Sequence, residues 1–259
     1  MIITVSSIKG GVGKSSLVIL AANNLAARGN RVLVIDMDLN NSVTFYYTLG
    51  LEGASEQCDN RNIVMAITQE RLKENVIETR RSNVYLLPSS LSLCDIRAID
   101  YRKLKKLLSK DCGFDYVIID TSPTYDNLIM SAIYAADYIL TPVDFAEFNF
   151  NMTSFLMKKI QEELPEKYGN TFIVFAHYLF QFDECEGGEQ KDYMQLYYQA
   201  FASKILAVKL PHTSYVKKYT DRDELVSINS RESGKVHLAE AVNQLINMFT
   251  GEKDVVERF

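Results

Sequence analysis

Cysteine is sparse and scattered: four residues in 259, at 58, 94, 112 and 185, with no Cys-x-x-Cys pair. That spacing argues against a structural zinc or iron–sulfur site built within the chain. No apolar run approaches the roughly 20 residues that a membrane span needs. The chain opens on a strand-like segment rather than a signal-peptide pattern. The expectation is a protein of a reducing cytosol with no membrane contact. An excess of positive charge is also missing, since the net charge is −5. Any DNA contact must therefore come from a local basic face. No linker and no internal repeat is visible, so 1–259 reads as one domain.

At 47% apolar residues, a chain of this length can bury a sizeable core. Strand-like runs cover 2–6, 31–35, 84–87, 116–119, 138–140, 172–176 and 205–208, several of them unbroken Val/Ile/Leu stretches suited to burial on both faces. Helical patterns fall between them, at 16–28 before Gly29 and at about 99–110, 126–136, 150–163, 190–203 and 235–249. This alternation predicts an α/β fold: a mainly parallel, twisted sheet with helices on both faces. The segments 51–62 and 183–189 read as surface loops, the second acidic and Gly-rich.

Between the first strand and the first helix stands Lys9-Gly10-Gly11-Val12-Gly13-Lys14-Ser15-Ser16. An ordinary phosphate loop, G-x-x-x-x-G-K-[ST], would have Gly at position 8, where Ile8 stands. A deviant form, K-G-G-x-G-K-[ST], matches at every position. Glycines let the backbone fold so that several N–H groups face one phosphate chain. The following helix adds its positive N-terminal end. Lys14 suits the β- and γ-phosphates and the Ser15 hydroxyl suits Mg²⁺. ATP and Mg²⁺ are the expected cofactors, with Lys9 through Ser16 as nucleotide contacts. Pro211, just beyond the last strand-like run, is counted with them.

Two further strand ends carry carboxylates. The run 32–35 leads into Asp36-Met37-Asp38, where side chains face the ligand crevice of an α/β sheet and can hold Mg²⁺ or orient a water. The run 116–119 ends in Asp120 followed by Thr121-Ser122-Pro123, a Walker B pattern that places Asp120 near Ser15 and Mg²⁺. The expected metal set is thus Ser15, Asp36 and Asp120.

In this order, with Ala136-Asp137 and the run 138–143 after them, these motifs resemble the ParA/MinD family of deviant Walker A ATPases, most closely the small Soj-like partition proteins. The resemblance implies slow ATP hydrolysis, stimulated by a ParB-like or centromere-binding partner. It implies a homodimer that sandwiches ATP, with Lys9 crossing to the partner's nucleotide while Lys14 serves its own. Asp38 matches the residue that positions the hydrolytic water, so Lys9, Lys14 and Asp38 are the expected catalytic set. The ATP dimer would bind DNA non-specifically and so associate with the nucleoid in the cytoplasm. The chain departs from the family pattern at Leu39-Asn40, where Pro-Gln is frequent, and at Thr121-Ser122.

Between 204 and 235 seven basic residues stand against four acidic ones, and Lys204, Lys209, Lys217, Lys218 and Arg222 are the candidate DNA contacts. Arg102, Lys103, Lys105, Lys106 and Lys110, interleaved with leucines, read instead as the exposed face of a packed helix. The alternative function is a MinD-like or other cargo-positioning switch on a membrane or protein assembly. The membrane version needs a basic amphipathic C-terminal helix. Here Val236, Leu238, Val242, Leu245, Ile246 and Phe249 have core spacing, and the tail carries both signs of charge. Iron–sulfur relatives need paired or bridging cysteines, which Cys94 and Cys112 do not supply. Tyrosine kinases of the superfamily carry C-terminal tyrosine clusters, and the final 40 residues contain none.

Overall fold

The computed structural model describes residues 1–109, 113–178, 188–222 and 229–251. Its strands are β1 (Ile2–Val5), β2 (Val32–Met37), β3 (Ile77–Glu78), β4 (Val84–Leu87), β5 (Tyr116–Thr121), β6 (Tyr138–Val143), β7 (Thr171–Tyr178) and β8 (Ile205–Pro211). They form one sheet in the order β3-β4-β2-β5-β1-β6-β7-β8. Every pairing is parallel except β3 with β4. The helices are α1 (Lys14–Ala27), α2 (Ser42–Thr48), α3 (Ala54–Asn60), α4 (Ile63–Gln69), α5 (Lys103–Ser109), α6 (Asn127–Ala135), α7 (Glu147–Glu163), α8 (Pro165–Tyr168), α9 (Glu189–Phe201), α10 (Ser214–Arg222) and α11 (Ser233–Thr250).

Successive side chains of a strand point to opposite faces, and the core divides accordingly. Val32 and Val34 of β2 join Ile118 of β5 under α1, α2 and α11, while Leu33 and Ile35 join Val117 and Ile119 under α4, α5 and α6. Both faces are thus filled, which is why these runs lack polar alternation. The sheet order turns at β1: the chain first builds outward through β2, then returns to flank β1 with β5 and β6. Ligands of such sheets bind at the carboxyl ends of the strands where the order reverses. The register sets Val5 and Asp36 each opposite Asp120 there.

The strand readings hold, with one omission: β3 has two residues, too few to give a pattern, and its place is set by pairing with β4. The loop expected at 51–62 contains α3, a helix that buries no side chain and so has no apolar stripe to betray it. α2, α4, α8 and α10 likewise fall outside the helical readings. The helix expected at 99–110 begins only at Lys103, after a turn in which Asp100 accepts from the Arg102 N–H. Lys110 and the segment 183–187 lie outside the described residues.

Candidate active site

The turn from β1 into α1 is possible because Gly11 (φ +79°) and Gly13 (φ +86°) occupy the left-handed region, where a side chain would be strained. Gly13 caps α1, so the free N–H groups of the first turn face the loop's cavity. Val12 is fully buried and anchors the loop from below. Lys14 is buried, and its Nζ donates to the Lys9 carbonyl at 3.1 Å. Burial pushes the Lys14 ammonium below its ordinary pKa, against the opposing pull of Asp120 and Asp38.

Ser15 Oγ donates to Asp120 Oδ2 at 2.6 Å, joining the first and third motifs in one contact. Asp120 is fully buried, and burial followed by the charge of Asp36 raises its carboxyl pKa well above the usual range. Asp36, Asp38 and Asp120 thus act on one another's charge, with Asp38 lining the cavity beside Lys14. Asp36 Oδ1 accepts from the Asp38 N–H at 3.0 Å, and its Oδ2 accepts from the N–H and hydroxyl of Thr44 at 2.8 and 2.7 Å. Those bonds tie α2 to the end of β2, and burial lifts Asp36 to about 6. Asp36 thus spends its oxygens on the fold, whereas Ser15 lines the cavity with Asp120 bonded behind it.

Asp38 lines the cavity with one oxygen held. Its Oδ1 accepts from the Asn40 N–H and Nδ2, both at 3.1 Å, and from Ser122 Oγ at 3.2 Å. No donor reaches Oδ2 among the described residues. Ser122 also donates to the Met37 carbonyl at 3.1 Å. The two positions where the chain departs from the family pattern are both donors to this one oxygen.

The cavity measures about 690 Å³. Gly10, Gly11, Gly13, Lys14, Ser15 and Ser16 line one end with Asp38, Asn40 and Pro123. Leu17 and Leu20 of α1, Ala176, Leu210, Pro211, Val216 and Leu238 line an apolar wall, with Lys217 at its edge. Pro211 therefore shares a cavity with the loop almost 200 residues earlier. Apart from Pro211, the apolar wall escaped the sequence reading. Leu17 and Leu20, one turn apart just after the motif, were its available signal. Thr44 had none, being placed by tertiary structure, while Asn40 and Ser122 were signalled as departures from the family pattern.

The donor set suits a Mg²⁺–nucleotide. Among the described residues no three His, Cys, Asp or Glu side chains converge into a closed metal cage. One hydroxyl, one carboxylate and buried negative charge beside a phosphate loop are what Mg²⁺ uses when phosphates and waters complete its shell.

The basic candidates divide, with Lys217, Lys218 and Arg222 on α10 and Lys204 apart from them. Lys204 precedes β8 and donates to the Tyr168 and Gly169 carbonyls at 2.5 and 3.1 Å, its ammonium over the Tyr168 ring. Lys217 and Lys218 follow β8, at the other end of a strand about 23 Å long. Lys218 lies 4.7 Å over the Tyr215 ring. Lys209 is half-buried on β8. Arg222 ends α10, with its side chain outside the described set. Lys204 is thus separated from the cluster expected of it by its role at the end of α8.

A sequence profile described as an AAA domain matches residues 1–171. The chain is 30% identical over 183 residues to the sporulation initiation inhibitor protein Soj of Bacillus subtilis, covering 67% of this chain and 69% of that protein. It is 30% identical over 151 residues to the maintenance of carboxysome distribution protein A of Synechococcus elongatus, covering 55% and 57%. The fold matches a plasmid partition protein of Borrelia burgdorferi bound to AMPPNP, with a TM-score of 0.76 at 21% identity over 95% of this chain and 98% of that one. Loop, paired carboxylate strands and relatives together make this chain a member of the ParA-type, AAA-domain family of P-loop ATPases.

Proposed function

We propose that the chain is a partition ATPase that dimerises around ATP, binds DNA without sequence preference in that state, and moves plasmid or chromosomal DNA with a ParB-type partner. The observation that carries this reading is the division of labour between two lysines of one loop. Lys14 lies in the cavity within reach of Asp38 and Asp120, whereas Lys9 rests outside it. Two lysines on one phosphate chain of the same subunit would crowd like charge. A two-fold partner gives the second its anion.

The loop N–H groups from Gly10 to Ser16 and Lys14 bind the phosphates of ATP. Leu17, Leu20, Val216, Leu238 and Pro211 receive the base. Ser15 and Asp120 would hold Mg²⁺, whose charge when bound would offset the phosphate oxygens. Asp36 stands behind, fixing Asp38 and α2. Asp38 Oδ2 accepts a hydrogen bond from the attacking water while Oδ1 stays clamped. Lys217, Lys218, Arg222 and Lys209 are the DNA contacts of this reading. α10 begins in the cavity wall, so nucleotide and basic residues share one helix.

A second reading, a switch that positions a protein cargo, is favoured by the carboxysome-distribution relative. A membrane version is not favoured, because α11 spends Leu238, Val242, Leu245 and Ile246 on the core. No described helix is long and apolar enough to cross a membrane. The test is Lys9→Ala, followed by light scattering with a non-hydrolysable ATP analogue and by DNA mobility shift. The variant is expected to bind nucleotide as a monomer and to lose both dimer and DNA shift. A variant that dimerises like wild type removes the sandwich model. A wild type that dimerises without shifting DNA supports the cargo reading.

A further inference from the structure

A second group of cations gathers by the amino ends of β6 and β7, away from the nucleotide cavity at the carboxyl ends of the strands. Lys167 of α8 is 8% exposed, and its Nζ donates to the carbonyl of Ala136, the residue that ends α6. An ammonium has three N–H groups, and among the described residues no acceptor takes the other two. The same Nζ lies 5.8 Å from the ring centroid of Tyr134, and the Nζ of Lys105, on α5, lies 4.8 Å from it. Lys105 acts on Lys167 both by its charge and through a side-chain contact. Burial, followed by that charge, pushes the Lys167 ammonium below its ordinary pKa, against the pull of Asp137 and Glu166. Among the described residues neither lysine forms an ion pair.

The neighbouring cations are already matched. Arg102 is held by Asp100 at 3.0 Å, and Lys106 by Glu70 at 3.2 Å. Lys167 and Ala136 also line a cavity of about 340 Å³, together with Asp137, Tyr138 and Asn170. We propose that this cluster is a binding site for a phosphate dianion, free or as a small monoester, held between the Lys105 and Lys167 ammonium groups beside the Tyr134 ring. Two cations in contact repel, and a buried one has little water to offset the cost. A dianion matches them charge for charge, and its oxygens accept the N–H groups that Lys167 has to spare. A monoanion leaves one ammonium unmatched. A longer polyanion would run its further phosphates against Asp100, Glu70, Asp137 or Glu166, so the ligand is compact. The site is independent of the phosphate loop, which leaves β1 at its carboxyl end.

The experiment is calorimetric titration of inorganic phosphate, and separately of phenyl phosphate, into the full chain saturated with AMPPNP and Mg²⁺ so that the phosphate loop is filled. Chloride holds the ionic strength constant. The variants are Lys105→Ala, Lys167→Met and, one residue along α5, Lys106→Ala. The expected result is one anion per chain, bound about tenfold more weakly by Lys105→Ala, not at all by Lys167→Met, and within about twofold of wild type by Lys106→Ala. Where Lys167→Met fails to fold, acetic anhydride labelling of wild type, read by mass spectrometry, takes its place: phosphate should protect Lys105 and Lys167 and leave Lys106 reactive. Tighter binding of phenyl phosphate than of phosphate identifies a monoester site, and equal binding a site for free phosphate. If neither probe binds at millimolar concentration, the site is refuted. A loss in Lys106→Ala as large as that in Lys105→Ala would show diffuse surface attraction and also refute it.

Discussion

Ser122→Ala removes one of three donors to Asp38 Oδ1 and nothing from the phosphate loop. The bond is 3.2 Å long and the acceptor is a carboxylate. Bonds to charged groups contribute about 1.5–3 kcal/mol, and one at the long end of the distance range belongs at or below the bottom of it. On the proposed role of Asp38, the lost constraint lets it rotate away from the attacking water, at about 1 kcal/mol of transition-state stabilisation, or roughly fivefold in turnover. Asn40→Ala removes a second side-chain donor, at 3.1 Å, but leaves the backbone N–H in place, so a similar factor applies. The double variant acts on one oxygen and should be more than additive, at about 30-fold or more. Neither group is expected to carry nucleotide binding, so affinity for a fluorescent ATP analogue should stay within about twofold while single-turnover hydrolysis slows. Asp38→Ala sets the floor. If the double variant hydrolyses ATP at the wild-type rate, or binds nucleotide as poorly as it turns over, the clamp is not what positions Asp38.

Lys14→Gln removes the buried ammonium over the phosphates and should abolish ATP binding or hydrolysis, read by nucleotide titration and phosphate release; unchanged values would overturn the loop assignment. Asn23→Leu should destabilise the protein by about 3–5 kcal/mol in urea unfolding. The Asn23 amide donates to the Tyr46 and Tyr219 hydroxyls at 3.1 and 2.7 Å and accepts from Tyr47 at 3.0 Å, all buried. Tyr219→Phe, which removes one bond and keeps the shape, should cost about 1 kcal/mol, and equal losses for the two variants would show that the amide is not the hub.

The parts legible in the sequence were those that carry local signals. The parallel strands announced themselves as apolar runs, and Ser15, Asp38 and Asp120 were placed by what precedes them in the chain. The illegible parts depend on distance. β3 exists only because β4 pairs with it. α3 has no buried side to give a period. Thr44 beneath Asp36 and Ser122 beside Asp38 are ordinary loop and helix residues until the sheet brings β2 and β5 together. Lys204 had the right charge for a DNA face, but the carbonyls at the end of α8 claim it.

The order of strands in the sheet also fixes when the site can come into being. β1, with its loop, is made before the strands that flank it, and those two neighbours are the fourth and fifth strands to follow it. Thr4 waits for the carbonyl of Ala132, and the Ile2 N–H waits for Asp137. Ser15 waits for Asp120, and the apolar wall for Val216 and Leu238. At roughly 5–20 residues per second of synthesis, the loop is exposed for on the order of 10–45 seconds before its last wall is made. Throughout that interval a phosphate-binding sequence is present without a phosphate-binding site. The nucleotide cavity has no complete wall until α11 has been made.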